Sequence, residues 1–284
     1  MSENKNRKNL LHKSILFVLI LMVVISAVGV VNRYLQDKRA EEEYRRLAEL
    51  AKQTTEAVTE ASAGPEEQPG EAEPETGTPY VSPIDFEALA EVNPDVIGWI
   101  KIPDTNVDYP IVQTDDNDKY LHTSFEGAES VAGAIYLDFE SDSDMMGWNN
   151  ILYGHNMKNG SMFKDIVKYK DQSYFDAHKY FEIYTPERTI HLKAISCYYA
   201  KAEPIVRKTR FKTRESYEAF IKEMIKPCTW HEVPEFPVDS LYTLVTCSYE
   251  VNDARTILYA VEVDENGDMV KGIKKFPDQV EKME

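Results

Sequence analysis

The sequence has 284 residues, of which 43% are hydrophobic, so it is long enough for one sizeable globular domain with extensions. Its formal net charge of -17 argues against a general affinity for nucleic acid or for anionic lipid headgroups. The cysteines Cys197, Cys228 and Cys247 form neither a CxxC pair nor a zinc-ligand spacing, and their odd number leaves at least one free thiol.

A long apolar run lies close to the N-terminus. Residues 14–31 (SILFVLILMVVISAVGVV) contain no charged side chain. As a helix this run would be about 27 Å long, at ~1.5 Å per residue, against a hydrocarbon core of about 30 Å. No small-x-small cleavage site marks the start of a mature chain. The run is therefore predicted to be an uncleaved, single-pass signal anchor in the cell membrane.

The flanking charges do not settle the orientation of this span. Basic residues precede it and also follow it closely: Lys5, Arg7, Lys8 and Lys13 on one side, Arg33, Lys38, Arg39, Arg45 and Arg46 on the other. A short tail before the span and a long folded part after it favour an N-terminus inside the cell. We therefore expect residues 1–13 to be a cytoplasmic tail and the folded domain to lie on the extracellular face.

Two segments are predicted between the span and the folded domain. Residues 32–61 are rich in Ala, Glu, Arg, Lys and Leu and contain no Gly or Pro, which predicts a juxtamembrane helix. Its apolar side chains Leu35, Tyr44, Leu47 and Leu50 lie roughly on one side. Residues 62–81 are predicted to be a disordered acidic tether, because most of this stretch is Pro, Gly and Glu and cannot bury enough surface to fold.

The folded domain is predicted over residues 82–265. Ser82 as a cap and Pro83 at the first helical position predict a short helix that carries Phe86, Leu89 and Val92. Strand-like runs follow at Ile97–Ile102, Val107–Val112, Ala132–Leu137, Asn150–Gly154, Tyr180–Tyr184, Thr189–Tyr199, Leu241–Cys247 and Thr256–Val263.

Two helical pieces interrupt these strands. One covers Ser161–Tyr169 and the segment just after it, and the other covers Thr213–Ile225 and stops at Pro227. Eight short strands with two helical insertions predict a mostly β, closed barrel. A hairpin turn at Asn266-Gly267 is expected to open a C-terminal extension, residues 266–284.

Cys247 is the cysteine whose setting suits a nucleophile. It ends an apolar strand, and its neighbours Thr246, Ser248 and Tyr249 are polar, so the thiol is expected to emerge at a polar rim. A cysteine nucleophile also needs a base and a donor for the developing oxyanion. Cys197 and Cys228 are interpreted as buried, inert thiols.

His155 has an equivalent position, because it begins the loop after the strand Asn150–Gly154. Solvent and a partner from another strand can both reach a histidine there, as acid–base chemistry requires. The other histidines are interpreted as surface or hydrogen-bonded structural residues: His12, His122, His178, His191 and His231.

Arg255 opens the strand that follows Cys247. If the two strands pair in an antiparallel manner, Arg255 lies beside the thiol and its guanidinium can bind an oxyanion. The residues alone leave a second interpretation open, in which Arg255 is a surface side chain paired with Glu250 or Asp253.

These residues lie in motifs that resemble those of a known family. The segment 153–163 (YGHNMKNGSMF) is similar to the active-histidine signature of class B sortases, and 243–247 (TLVTC) is similar to the sortase TLxTC motif. Arg255 stands where the family's arginine follows, and the resemblance extends over residues 84–263. One departure is Val245, where many class B members carry a serine.

The resemblance implies an eight-stranded barrel and a cysteine transpeptidase that needs no cofactor or metal. Cys247, His155 and Arg255 would be catalytic, and Thr246, Asn156 and Tyr249 would bind substrate. The donors would be surface proteins with a C-terminal sorting signal of the NPxTx or xPxTG kind. The acceptor would be an amine of lipid II or of the peptidoglycan stem or cross-bridge.

Two other functions remain open at this point. A secreted cysteine peptidase that only hydrolyses would use the same cysteine and histidine. A membrane-tethered barrel that binds a ligand without catalysis would keep its function when Cys247 is replaced by alanine.

Overall fold

A computed structural model describes residues 2–52, 80–201, 207–248 and 254–272, with the backbone alone at 2–11, 247 and 248. Within these ranges the strands are β1 Val96–Lys101, β2 Asp108–Val112, β3 Ile135–Leu137, β4 Asn149–Tyr153, β5 Tyr180–Tyr184, β6 Thr189–Lys201, β7 Leu241–Ser248 and β8 Ala254–Val263. The helices are α1 Ser2–Leu50, α2 Phe86–Val92, α3 Lys119–His122, α4 Gln172–Ala177 and α5 Arg214–Ile225, with a 3₁₀ helix at Asp165–Lys170.

The eight described strands close into a barrel in the order β1-β2-β3-β4-β7-β8-β6-β5, and β5 pairs back onto β1. The pairs β2–β3 and β4–β7 are parallel, and the other neighbours are antiparallel. This architecture confirms the closed, mostly β barrel that the sequence predicts. Seven of the strands lie within a few residues of their predicted bounds.

β3 is shorter than predicted and begins at Ile135 rather than at residue 132. Gly133 has a φ of +57°, which is incompatible with a strand, and a Cβ there would lie 2.4 Å from the Tyr120 carbonyl oxygen. The chain therefore enters the strand only after this turn.

Two apolar clusters explain why the barrel forms. The larger one fills the interior and includes Trp99, Leu152, Phe163, Tyr169 and Leu258, all nearly inaccessible to solvent. The smaller one lies under α5 and includes Trp148, Phe211, Tyr217, Ile221 and Tyr259. The inward and outward faces of each strand are therefore fixed by burial.

The helix α5 begins and ends where the sequence predicts. Thr213 caps it, accepting from the Ser216 amide at 3.2 Å while the Ser216 hydroxyl accepts from the Thr213 amide at 3.3 Å. At α2 the predicted cap is wrong. Asp85, not Ser82, accepts from the Ala88 amide, at 2.9 Å, and the Ser82 hydroxyl instead accepts from the Ile84 amide.

α1 joins the predicted anchor and the juxtamembrane helix into one continuous helix. Its apolar part is exposed and is long and apolar enough to cross a membrane, which no other helix in the described ranges is. Its end at Leu50 falls short of the predicted residue 61, and 53–61 lie outside the described residues, as do 62–79 of the predicted tether.

The last part of α1 packs directly on the barrel. The Tyr44 hydroxyl donates to the Gly133 carbonyl at 2.7 Å, and the Tyr44 ring meets the Tyr109 ring edge-on at 5.1 Å between centroids. Leu47 and Ala51 are buried in the same contact. The apolar face predicted for the juxtamembrane helix is therefore covered by the barrel at Tyr44 and Leu47, whereas Leu35 is 45% exposed.

The chain turns at Asn266-Gly267 as predicted. Gly267 has a φ of +85°, and Val263 forms an antiparallel bridge with Met269 beyond the turn. Residues 273–284 of the C-terminal extension lie outside the described residues.

Candidate active site

Cys247 and Arg255 are brought together by the pairing of β7 with β8. The two strands are antiparallel, and Cys247 is the direct partner of Arg255 in their register. The pairing assumed from the sequence is therefore observed. Directly opposite residues have Cβ atoms about 4.5–5.5 Å apart, so a guanidinium on Arg255 can reach the neighbourhood of residue 247. The Arg255 side chain is half-buried, and its Nη1 donates to the Ala254 carbonyl at 3.1 Å.

His155 approaches the same point from the other side of β7. β4 runs parallel to β7 with Tyr153 opposite Val245, and the Gly154 amide donates to the Val245 carbonyl at 3.2 Å. Continuing this register by two residues places His155 level with Cys247, and adjacent strands are about 4.8 Å apart. Across the sheet the order is thus histidine, cysteine, arginine.

Gly154 allows the strand end to pack closely before His155. A Cβ at this position would lie 2.5 Å from Ile135 Cδ1 and 2.7 Å from the Phe163 ring. The Phe163 amide also donates to the His155 carbonyl at 2.9 Å. These contacts hold the backbone that carries the imidazole.

The imidazole of His155 is oriented by a backbone carbonyl. Its Nε2 lies 2.8 Å from the Leu121 oxygen. A carbonyl can only accept, so Nε2 carries a proton and Nδ1 is the nitrogen that can take up or release one. Sequence reasoning missed this partner, because a backbone carbonyl has no residue-type signature.

His122 is a second imidazole beside His155. The rings are stacked with centroids 6.5 Å apart, and His122 is exposed. From the sequence His122 is interpreted as a surface or structural residue, because nothing in its local pattern indicates that α3 carries it next to His155. Three further histidines have structural contacts: His178 Nδ1 with the Tyr174 carbonyl, His191 with Glu182, and His231 Nδ1 with the Cys228 carbonyl.

Two of the predicted substrate-binding residues, Thr246 and Asn156, are buried. Thr246 is 2% exposed and stands opposite Thr256, and Asn156 is 4% exposed and forms a bridge with Met162. Tyr249 lies outside the described residues. Their roles in binding remain predictions.

Cys197 and Cys228 are free and buried, in agreement with the sequence interpretation. Burial raises the pKa of the Cys197 thiol well above its usual range, and its Sγ points to the Ile166 carbonyl at 3.8 Å. A thiol in that state is not a nucleophile. Across the described ranges, no group of three His, Cys, Asp or Glu side chains is arranged to hold a metal ion.

Comparison with known proteins gives consistent matches. Residues 100–263 match the sortase domain family. The chain is 32% identical over 163 residues to sortase B of Listeria monocytogenes; the match covers 57% of this chain and 66% of that protein, just under two thirds of its length. A crystal structure of Clostridium perfringens sortase B aligns at a TM-score of 0.59 and 34% identity, covering 63% of this chain and 100% of that one. A Staphylococcus aureus sortase B–substrate complex aligns at 0.67 and 25% identity, covering 81% and 99%.

Proposed function

The chain belongs to the sortase family and is similar to its class B members, and we propose that it is a membrane-anchored cysteine transpeptidase that joins surface proteins to the cell wall. Class B sortases are cysteine transpeptidases. The observation that supports this activity for the present chain is the pairing of Cys247 on β7 with Arg255 on β8, with His155 two residues beyond the end of β4 on the other side of β7. A nucleophile flanked by a base and a fixed cation suits acyl transfer.

In the first step, the Cys247 thiolate attacks the backbone carbonyl carbon of the threonine in the sorting signal. A tetrahedral oxyanion forms, and Arg255 stabilises its charge. The C–N bond then breaks, His155 gives a proton to the departing amine, and the threonine carbonyl stays on sulfur as a thioester.

In the second step, an amine of the acceptor attacks the thioester. His155 takes the proton that the amine loses, the C–S bond breaks, and Cys247 leaves as a thiolate. One amide bond has been exchanged for another, so no external oxidant, reductant or cofactor is needed. The acceptor is an amine of lipid II or of the peptidoglycan stem or cross-bridge.

The donor is a surface protein with a C-terminal sorting signal of the NPxTx or xPxTG kind. The Staphylococcus aureus neighbour was solved in complex with a substrate. For this chain, the half-buried Tyr153 and the neighbouring Thr246, Asn156 and Tyr249 are proposed to form the part of the groove next to the threonine. Val245 is 5% exposed and supplies no hydroxyl, so a hydrogen bond made by serine in other members is absent or moved.

The proposed location is the extracellular face of the cell membrane, with the N-terminus inside. α1 supplies the anchor through residues 14–31 and then contacts the barrel through Tyr44 and Leu47. This orientation places the catalytic domain on the side where wall precursors and surface proteins meet.

An amine-supplementation assay separates this function from simple hydrolysis. The purified full-length protein in detergent is incubated with a peptide carrying each sorting motif, with and without an added amine nucleophile, and the products are resolved by mass spectrometry. A transpeptidase forms the amide product in preference to the free acid. A peptidase forms only the acid at every amine concentration, and that result would reject the proposal.

A further inference from the structure

A fully buried carboxylate, Asp138, lies just beyond β3 and beside the strand that leads to His155. Its side chain has no exposed surface, and its backbone amide donates to the Ile151 carbonyl of β4 at 2.8 Å. An isolated charge in such a place is strongly unfavourable unless several donors compensate it. The donors to Asp138 therefore show which segments of the chain its carboxylate holds together.

Two side-chain donors and one cation, from three separate segments, converge on this carboxylate, together with one backbone amide. Oδ2 accepts from the Tyr153 hydroxyl at 2.8 Å and from Asn117 Nδ2 at 3.0 Å, and Arg207 Nη2 lies 3.6 Å away. Oδ1 accepts from the Glu140 amide at 3.0 Å. Hydrogen bonds to a carboxylate are stronger than those between neutral groups. Asp138 therefore holds together parts of the chain that are distant in sequence.

Two of these segments are the ones that fix His155. Tyr153 is the last residue of β4, two residues before His155. Asn117 lies four residues before Leu121, and the Leu121 carbonyl is the hydrogen-bond partner of His155 Nε2. The carboxylate therefore joins the end of β4, which leads to His155, to the segment 113–122, whose Leu121 carbonyl orients the imidazole.

Further hydrogen bonds join the start of the segment 113–122 to the residues around Asp138. Gln113 Nε2 donates to the Asp138 carbonyl at 3.0 Å and to the Ser141 carbonyl at 2.9 Å. The Phe139 amide donates to Asn117 Oδ1 at 3.2 Å. Residues 113–117 are thus hydrogen-bonded to residues 138–141 through both backbone and side-chain groups.

The Tyr153 hydroxyl acts as a donor under all ordinary conditions. Burial, and then the charge of Asp138, raise the pKa of Tyr153 well above its usual range. The hydroxyl therefore keeps its proton near neutral pH, where it can donate to the Asp138 carboxylate.

We propose that Asp138 is a positioning residue for His155: it holds β4 and the segment 113–122, which ends in α3, in the arrangement that directs the imidazole toward Cys247. This inference rests on the proposed transpeptidase function. The carboxylate does not touch substrate; it acts through Tyr153 and Asn117.

The test compares Asp138→Asn with a matched change, Asp239→Asn, in the full-length protein in detergent. Asp239 is also a buried carboxylate beside an arginine, Arg214 at 3.4 Å, but it precedes the opposite end of β7. That end is about 20 Å from Cys247 at ~3.3 Å per residue. Both variants are expected to lower the melting temperature, so stability alone does not distinguish the two roles.

Two measurements distinguish a positioning role from a merely structural one: separate values of kcat and KM, and the ¹⁵N-histidine NMR spectrum. The His155 signal is assigned by its loss in His155→Gln. In Asp138→Asn we expect kcat to fall by about tenfold to 10²-fold with little change in KM. A displacement of ~1 Å in a catalytic group can lower the rate by as much as about 10²-fold. The His155 Nε2 signal should move, and Asp239→Asn should change neither. Unchanged kcat and an unmoved His155 signal in Asp138→Asn would overturn the proposal.

Tyr153→Phe serves if Asp138→Asn does not fold, because it removes one hydroxyl and keeps the charge. A lower kcat with a moved His155 signal supports the proposal. An unmoved signal overturns it whatever the change in KM, because Tyr153 is also proposed to line the substrate groove. The NMR comparison does not depend on turnover. A wild-type protein without transpeptidation would therefore refute the proposed function while leaving this test of His155 orientation in place.

Discussion

Cys247 on β7 and Arg255 on β8 are direct cross-strand partners in the barrel. Each is the residue that sequence motifs single out, and the short connection 249–253 between the strands does not separate them. Cross-strand partners are neighbours by the geometry of the sheet. The pairing therefore gives Arg255 a position from which it can act on chemistry at residue 247.

Replacing Arg255 tests whether it stabilises an oxyanion. Such a donor acts mainly in the transition state, so Arg255→Ala should lower kcat and kcat/KM together, by roughly 10²–10³-fold. Lysine keeps the charge but loses the planar, multi-donor geometry, so Arg255→Lys should recover little of that loss. The measurement is steady-state transpeptidation, with folding checked by thermal melts.

Arg210 provides the control for this experiment, because its side chain is 67% exposed. Arg210→Ala should leave turnover unchanged. A surface ion pair of Arg255 with Glu250 or Asp253 would be worth at most about 1 kcal/mol, and lysine would largely replace it. Near-normal turnover in Arg255→Lys would therefore assign Arg255 to that surface role.

The two buried cysteines should be chemically silent in the folded protein. Because burial raises the pKa of Cys197, its thiol stays protonated at a pH where an exposed cysteine ionises. Iodoacetamide at mildly alkaline pH should therefore modify Cys247 and spare Cys197 and Cys228, as read by peptide mass spectrometry.

Serine at either buried position should cost stability, about 1–3 kcal/mol for a buried hydroxyl without a partner, and keep activity per folded molecule. Stoichiometric alkylation of Cys197 or Cys228 in the native protein would contradict this expectation. So would loss of activity in Cys197→Ser or Cys228→Ser with an unchanged fold.

Protease added to intact, wall-stripped cells should cut the predicted tether 62–79 and leave the barrel at the membrane. The barrel stays because α1 holds it through the buried Tyr44 and Leu47, even when the connecting chain is broken. Tyr44→Ala removes a large buried side chain, a change that costs on the order of 3–5 kcal/mol, and should release the clipped barrel. Immunoblots of the membrane and soluble fractions record the outcome.

Tyr34→Ala is the control, because Tyr34 lies on the same helix and is 60% exposed. It should behave as the wild type does. Complete protection of the chain in intact cells would reverse the proposed orientation. Release of the clipped wild-type barrel would show that the α1 contact does not persist in the membrane.

Glu43 should make the docking of α1 depend on pH. Burial raises the pKa of this carboxyl, although the Glu126 amide that donates to it at 3.0 Å opposes the shift. A folded-state pKa above the unfolded one means that the folded form binds the proton more readily. The stabilisation is thus fully present below the unfolded value and is lost as pH rises through the folded one.

Glu43→Gln carries no charge and keeps an oxygen that can accept from the Glu126 amide. It should therefore melt at a higher temperature than the wild type near neutral pH, and the difference should shrink as pH falls toward the ordinary glutamate pKa. Glu42→Gln, on an exposed side chain of the same helix, should show no such trend. An equal difference between Glu43→Gln and wild type at both pH values would contradict this account.

Local patterns predicted the strands, α5 and the Asn266-Gly267 turn, because alternation, a capping residue and turn chemistry act within a few residues. They also placed Cys247 and His155 at strand ends. The motif resemblance then supplied the roles, which the residues alone left open for Arg255.

Contacts distant in sequence could not be read in the same way. Tyr44 donates to the Gly133 carbonyl, and Asp138 accepts from Asn117 and Tyr153, yet no local pattern indicates that these residues are partners. The partner of His155 is a backbone carbonyl that any residue could supply. These contacts depend on how the barrel closes, which local patterns do not specify.

The most direct test of the central claim is to trap the thioacyl intermediate. The full-length protein is mixed with NPxTx and xPxTG peptides without an acceptor amine, quenched in acid, and digested for mass spectrometry. We predict a threonine-terminated acyl group on the peptide that contains Cys247, absent in Cys247→Ala and discharged when an amine is added. An adduct on another residue, or no adduct with any peptide while product forms, would contradict the assignment of Cys247 as the nucleophile.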